Sequence, residues 1–197
     1  MYKIERNSKL DFIGQSYSSS YPNLHKYPAT MLPQIGIELF KDLKIKSGKL
    51  LDPYCGSGSS FTVGLDRGLK EMYGYDINPL AVLISRTKFT KVDLDLIKTL
   101  KQRLRNKIYE FVKIESNLSQ LNAPKIYNLE FWFKPNVTKN LSVIKYFIDK
   151  IKQKEIRRVF LVPFSETVRE CSLTRNSEFK LFRMKPEDIL HFNPDVF

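Results

Sequence analysis

Asp52-Pro53-Tyr54-Cys55-Gly56-Ser57-Gly58 is the run whose residue types and order point most directly to chemistry. Leu50 and Leu51 end an apolar approach, Asp52 follows at once, and Gly56 and Gly58 bracket Ser57. A buried strand that breaks into a glycine turn and then a helix brings backbone close to a nucleotide-like ligand. Gly56 and Gly58 let the chain turn sharply and let that ligand touch backbone. The acid at the strand tip argues against a phosphate, because a carboxylate repels a diphosphate and attracts a cation. Asp52 sits where it would meet a ligand ammonium, directly or through water. Asp76 lies 18 residues after Gly58, at the end of the next expected strand. In dinucleotide-binding folds an acid about 20 residues beyond the glycines holds ribose hydroxyls. S-adenosylmethionine has a sulfonium, an ammonium and an adenosine ribose but no phosphate, and it meets both requirements.

Other reactive residue types point elsewhere. Cys55 and Cys171 form neither a metal spacing nor a disulfide framework, so two reduced thiols in a cytoplasmic protein are expected. Cys55 reads as a small packing residue of the loop. His25 and His191 stand alone, without the acids or cysteines that would make them catalytic or metal-binding. No metal site is expected. The Phe131-Trp132-Phe133 run reads as core. Arg169, Arg175, Lys180 and Arg183 read either as contacts to DNA phosphates or as a solvated helix end.

The elements that must position these residues follow from periodicity and punctuation. Residues 1–20 are polar, with serines at Ser16, Ser18, Ser19 and Ser20, and read as an arm. Pro22, Pro28 and Pro33 make the next stretch irregular. A helix is expected over 32–43, a strand over 49–52, a short helix over 59–69 stopped near Gly68, a strand over 71–76 and a helix over 79–88. The order over 49–88 is that of the start of a parallel sheet. Ile97, Leu100, Leu104, Ile108 and Phe111 predict an amphipathic helix over 93–112, with Lys and Arg on its outer face. Residues 116–125 read as a loop, and a further helix is predicted over 136–154. Val159 to Val162 would suit a strand, but Ile156, Val159, Phe160, Phe164, Val168 and Cys171 keep helical spacing. A helix kinked near Pro163 is the preferred reading. The chain is expected to form one partial domain over 1–197: an arm over 1–20, a cofactor-binding core over 21–90 and a mainly helical extension over 91–197.

The chain's 197 residues are 42% hydrophobic, which supports a packed core rather than disorder. No apolar run reaches the roughly 20 residues of a membrane span, so no membrane partner is expected. The net charge of +12 suits a polyanionic partner.

The run from Leu51 to Ser59 resembles the cofactor motif of S-adenosylmethionine-dependent DNA amino methyltransferases, which modify N6 of adenine or N4 of cytosine. Tyr54 replaces the family's usual phenylalanine. Tyr75-Asp76-Ile77-Asn78-Pro79 is similar to the second motif, whose acid binds the adenosine ribose. Lys26-Tyr27-Pro28-Ala29-Thr30-Met31-Leu32-Pro33 is similar to the segment that closes over the methionine end of the cofactor. The stretch over 164–183 resembles a segment of bacterial modification methylases. The resemblance covers about residues 21–183. It implies an α/β, Rossmann-like methyltransferase fold of restriction–modification type. S-adenosylmethionine would be held by Asp52, Pro53, Tyr54, Cys55, Gly56, Ser57, Gly58, Asp76, Ile77, Pro28, Ala29 and Thr30, and double-stranded DNA would be the partner.

One part of the family pattern is absent. The catalytic motif, a polar residue followed by Pro-Pro and an aromatic, occurs nowhere in residues 1–197, which contain no Pro-Pro. Asn78-Pro79-Leu80 and Asn193-Pro194-Asp195 each fall short of it. The resemblance therefore implies an incomplete fold, lacking C-terminal strands and the catalytic motif, with no catalytic residue assigned on this chain. A complementary subunit carrying the Pro-Pro-aromatic motif would complete it. The alternatives are an inactive or binding-only remnant, or a relative of RNA guanine-N2 methyltransferases.

Overall fold

Lys49–Asp52 (β1) and Glu71–Gly74 (β2) pair in parallel, with Leu50 opposite Met72 and Leu51 opposite Tyr73. They form the sheet of a computed structural model that describes residues 7–14, 21, 24–28, 30–114, 121, 123–175 and 180–197. Ser16, Ser18, Ser19, Ser20, Pro22 and Ala29 lie outside the described residues. The chain divides into two compact units, Met1–Phe89 and Thr90–Phe197, and the protein is mixed α/β.

In the first unit Pro33–Asp42 (α1) precedes β1, Ser59–Asp66 (α2) connects the two strands, and Pro79–Lys88 (α3) follows β2. Proline at the start of α1 and α3 costs no hydrogen bond there and presets the helical φ. Alternation along the strands gives the sheet two faces. Leu50 and Met72 lie under α2: a methyl group built on Gly64 would sit 2.8 Å from Met72 Sδ and 3.4 Å from Leu50 Cδ2. On the other face Lys49 pairs with Glu71 at 2.7 Å, and Leu51 and Tyr73 are exposed. Val63, Ala81 and Ile84 are fully buried in this unit.

β2 is two residues shorter than expected, because its partner β1 ends at Asp52, opposite Gly74, and turns into the glycine loop. A Cβ on Gly74 would lie 2.3 Å from Phe61 Cζ and 2.8 Å from Cys55 Cβ. α2 and the glycine loop therefore pack closely on the strand's last residue. α2 ends at Asp66 rather than near Leu69, with Gly68 at φ +82° turning the chain and the Leu69 N–H donating to the Gly64 carbonyl at 2.9 Å.

The second unit is helical: Leu94–Val112 (α4), Leu129–Trp132 (α5), Pro135–Asp149 (α6), Lys154–Glu170 (α7) and Pro186–His191 (α8). Asp93 caps α4 by accepting the Asp95 and Leu96 N–H groups at 2.9 and 3.2 Å. The expected stripe Ile97, Leu100, Leu104, Ile108 and Phe111 is half-buried, and Phe111 packs edge-on against Phe147 at 5.4 Å. Val137, Leu141, Cys171 and Val196 form the core, with Phe133, Ile144, Phe164 and Val168 around it. Phe133 thus joins the core, while Phe131 is exposed. Residues 159–162 are helical, and α7 continues through Pro163. Two features had no clear periodic signal: α5 with its four residues and α8 with its six. An antiparallel bridge, Thr174 to Arg183, also lies beyond the sequence reading. Among the described residues no helix is long and apolar enough to cross a membrane.

Candidate cofactor site

The loop after β1 is laced to the segment leaving β2. The Tyr75 N–H donates to the Asp52 carbonyl at 3.0 Å, and the Cys55 N–H donates to the Tyr75 carbonyl at 2.9 Å. The Gly56 N–H donates to Asp76 Oδ2 at 2.8 Å, and the Asn78 N–H donates to Asp76 Oδ1 at 2.8 Å. One carboxylate therefore fixes the middle of the glycine loop and the turn into α3 together. Asn78 then caps α3, its Oδ1 accepting the Leu80 N–H at 3.0 Å.

Asp52 is held by its own loop. Its Oδ1 accepts the Tyr54 N–H at 2.9 Å, and its Oδ2 accepts the Ser60 hydroxyl from the first turn of α2. Both glycines of the loop are required by conformation. Gly56 has φ +49° and Gly58 φ +84°. At Gly58 packing adds to conformation, since a Cβ there would lie 2.7 Å from Ser85 Oγ and 2.8 Å from Phe89 Cε2.

Burial, and after it the carboxylates of Asp52 and Asp76, push the Cys55 thiol above its ordinary pKa. Both acids thus make the loop electronegative, which suits a ligand carrying positive charge and disfavours a phosphate. Ile77 is fully exposed at 101% and Tyr54 is 87% exposed, so two apolar side chains stand free beside the acids.

Of the residues singled out from sequence, Asp52, Pro53, Tyr54, Cys55, Gly56, Ser57, Gly58, Asp76 and Ile77 share the loop and the adjoining exit from β2. Pro28 and Thr30 are exposed on the preceding segment, and Ala29 is outside the described residues. That segment is attached through Tyr27, whose hydroxyl accepts Asn78 Nδ2–H at 3.2 Å. Tyr27 also lies beside the loop, its Cε1 3.8 Å from where a Gly56 Cβ would be. Thr30 Oγ1 donates to the Tyr27 carbonyl at 3.1 Å. Tyr27, Asn78, Ser60 and Gly74 were not singled out for these roles. Asn78-Pro79 carries the signal of a capped helix start, whereas nothing in the sequence marks Ser60 or Gly74.

The four cations considered for DNA belong to the second unit. Arg169 pairs with Glu166 and lies 3.7 Å from Glu170. Arg183 Nε donates to the Phe131 carbonyl at 2.8 Å, and its guanidinium lies 4.4 Å over the Phe131 ring. Arg175 donates its backbone N–H to the Phe182 carbonyl at 2.8 Å, and Lys180 is exposed.

The architecture is that of a mixed α/β protein with a glycine turn between a parallel strand and a helix. No family model and no solved structure matches the chain. The chain is 38% identical, over 98% of its length, to Type II methyltransferase M.MvaI of Kocuria varians, of which it spans 43%. It is 26% identical over 114 residues to Type II methyltransferase M.MjaII of Methanocaldococcus jannaschii, covering 57% of this chain and 21% of that protein. Both of these relatives are Type II methyltransferases. The chain spans less than half the length of the curated relatives it matches.

Proposed function

We propose that this chain forms the S-adenosylmethionine-binding part, Rossmann-like in fold, of an enzyme that methylates an exocyclic amine of adenine or cytosine in duplex DNA. The observation that carries the reading is the Asp76 carboxylate bonded to Gly56 beside a second acid, Asp52. Each Asp76 oxygen accepts one backbone N–H, and a carboxylate oxygen can take a second donor. The two outward lone pairs suit the two hydroxyls of a ribose. Asp52 supplies negative charge for the amino-acid end, and Ile77 an apolar surface for the adenine. The segment of Pro28 and Thr30, attached through Tyr27 beside Gly56, would cover the methionine end.

The cofactor supplies an electrophilic methyl on a sulfonium. The chain's contribution is positioning and a fixed negative field. Residues 1–197 contain no Pro-Pro-aromatic motif to hold the amine. In this reading that motif comes from sequence outside them, on the same polypeptide or on a second chain.

The test is transfer of labelled methyl from S-adenosylmethionine to duplex DNA. The chain alone is expected to transfer little. Joined to, or mixed with, a polypeptide carrying the motif, it is expected to methylate DNA. Cofactor binding with no transfer in any such combination would leave a binding-only protein and overturn the catalytic reading.

A further inference from the structure

Uncompensated positive charge lies along a short stretch of the second unit, the turn between α6 and α7. Its two acids are each matched: Asp149 pairs with Lys145 at 2.6 Å, and Glu155 with Arg158 at 3.3 Å. Lys150, Lys152, Lys154 and Arg157 have no carboxylate partner among the described residues. Lys150, Lys152 and Lys154 are exposed. Lys150 Nζ lies 5.0 Å over the Tyr146 ring, which orders one cation. Arg157 Nη1 lies 3.5 Å from the Asp149 carbonyl oxygen, which brings a second cation back onto the turn.

Other basic residues of this unit differ. Arg169 is matched by Glu166, and Arg183 is committed to Phe131. On α4, at 3.6 residues per turn, Lys101 and Arg105 follow one edge of the apolar stripe while Arg103 and Lys107 follow the other, so their charges diverge. Along the α6–α7 turn four such cations, uncompensated among the described residues, fall within eight consecutive positions, Lys150 to Arg157.

We infer that this turn is a contact surface for the phosphate backbone of duplex DNA. The inference rests on the methyltransferase reading for the identity of the polyanion. Lysines on flexible stems suit phosphates as point charges and carry no base readout, so the surface would set register and affinity rather than sequence choice.

The test is fluorescence anisotropy of a labelled duplex with the chain over a range of salt, comparing the unaltered protein with a Lys152→Gln/Lys154→Gln variant. Both side chains are exposed and make no polar contact within the described residues, so circular dichroism should be unchanged. Losing two phosphate contacts should lower the slope of log affinity against log salt by about two and weaken binding at least about tenfold near 0.1 M salt. An unchanged slope and affinity in the variant overturns the inference. So does an absence of duplex binding by the unaltered protein. Titrating the same preparation with S-adenosylmethionine reads the methyltransferase assignment separately, so the two failures are distinguishable.

Discussion

Asp76 Oδ2 accepts the Gly56 N–H at 2.8 Å, which fastens the acid after β2 to the middle of the loop after β1. The other oxygen of the same carboxylate holds Asn78, which caps α3 and donates to Tyr27. Residues from three separate segments are therefore placed by one side chain, and a change there acts on geometry and on ligand contacts together.

Asp52 is expected to act through charge. In Asp52→Asn the Oδ1 that accepts from Tyr54 remains an acceptor, so the loop should keep its shape. Losing a charged partner costs about 1.5–3 kcal/mol. S-adenosylmethionine should therefore bind about tenfold or more weakly, while 5′-methylthioadenosine, which lacks the ammonium, should lose much less. Equal losses for both ligands, measured by calorimetry, would argue that Asp52 only shapes the loop.

The glycines separate conformational cost from packing cost. Gly68 has φ +82° and open space around its Cβ position, so Gly68→Ala should cost about 1 kcal/mol. Gly58→Ala adds contacts of 2.7 and 2.8 Å to a similar φ, and overpacking of that kind costs about 1–3 kcal/mol more. Denaturant titration should rank Gly58→Ala as clearly the more destabilised. Equal midpoints would contradict the packing against Ser85 and Phe89.

Tyr27 should matter for binding and little for folding. Tyr27→Phe keeps the ring beside Gly56 and removes the acceptor for Asn78 at 3.2 Å, a bond worth about 1 kcal/mol. Cofactor affinity should fall about three- to fivefold, with the melting temperature lowered by no more than about 2–4 °C. Unchanged affinity would mean that segment 24–28 does not help to cover the ligand.

Both thiols should be slow to react. Burial comes first in raising each, followed by Asp52 and Asp76 for Cys55 and by Glu170 and Asp195 for Cys171. A raised pKa means the folded chain keeps a proton that the unfolded chain releases. This contribution to stability is present below the ordinary thiol range, near pH 8.5, and declines as pH rises through it. Alkylation by iodoacetamide near pH 8.5 should be slower for the folded protein than for free cysteine, and faster alkylation would contradict the burial of Cys55 and Cys171.

Local rules made the supports of the site legible. Lys49–Asp52 and Pro79–Lys88 begin and end where apolar runs, proline and glycine indicate. The five stripe positions of α4 face partly inward as their spacing requires. The missing information was spatial. The need for glycine at position 74 comes from Phe61 and Cys55, which no sequence window joins to it. Arg169 and Arg183 look like free cations in sequence, but one meets a glutamate a turn away and the other meets Phe131, 52 residues distant. The short helices α5 and α8 have too few residues to show a period.

The central claim is that Asp76 and the glycine loop form the cofactor site, and calorimetric titration of S-adenosylmethionine into the chain and into Asp76→Ala tests it most directly. The account predicts one-to-one binding by the unaltered chain and at least a tenfold loss in the variant, with a far-UV circular dichroism spectrum that still shows folded protein. Absence of binding by the unaltered chain, or equal affinity in the folded variant, would contradict it.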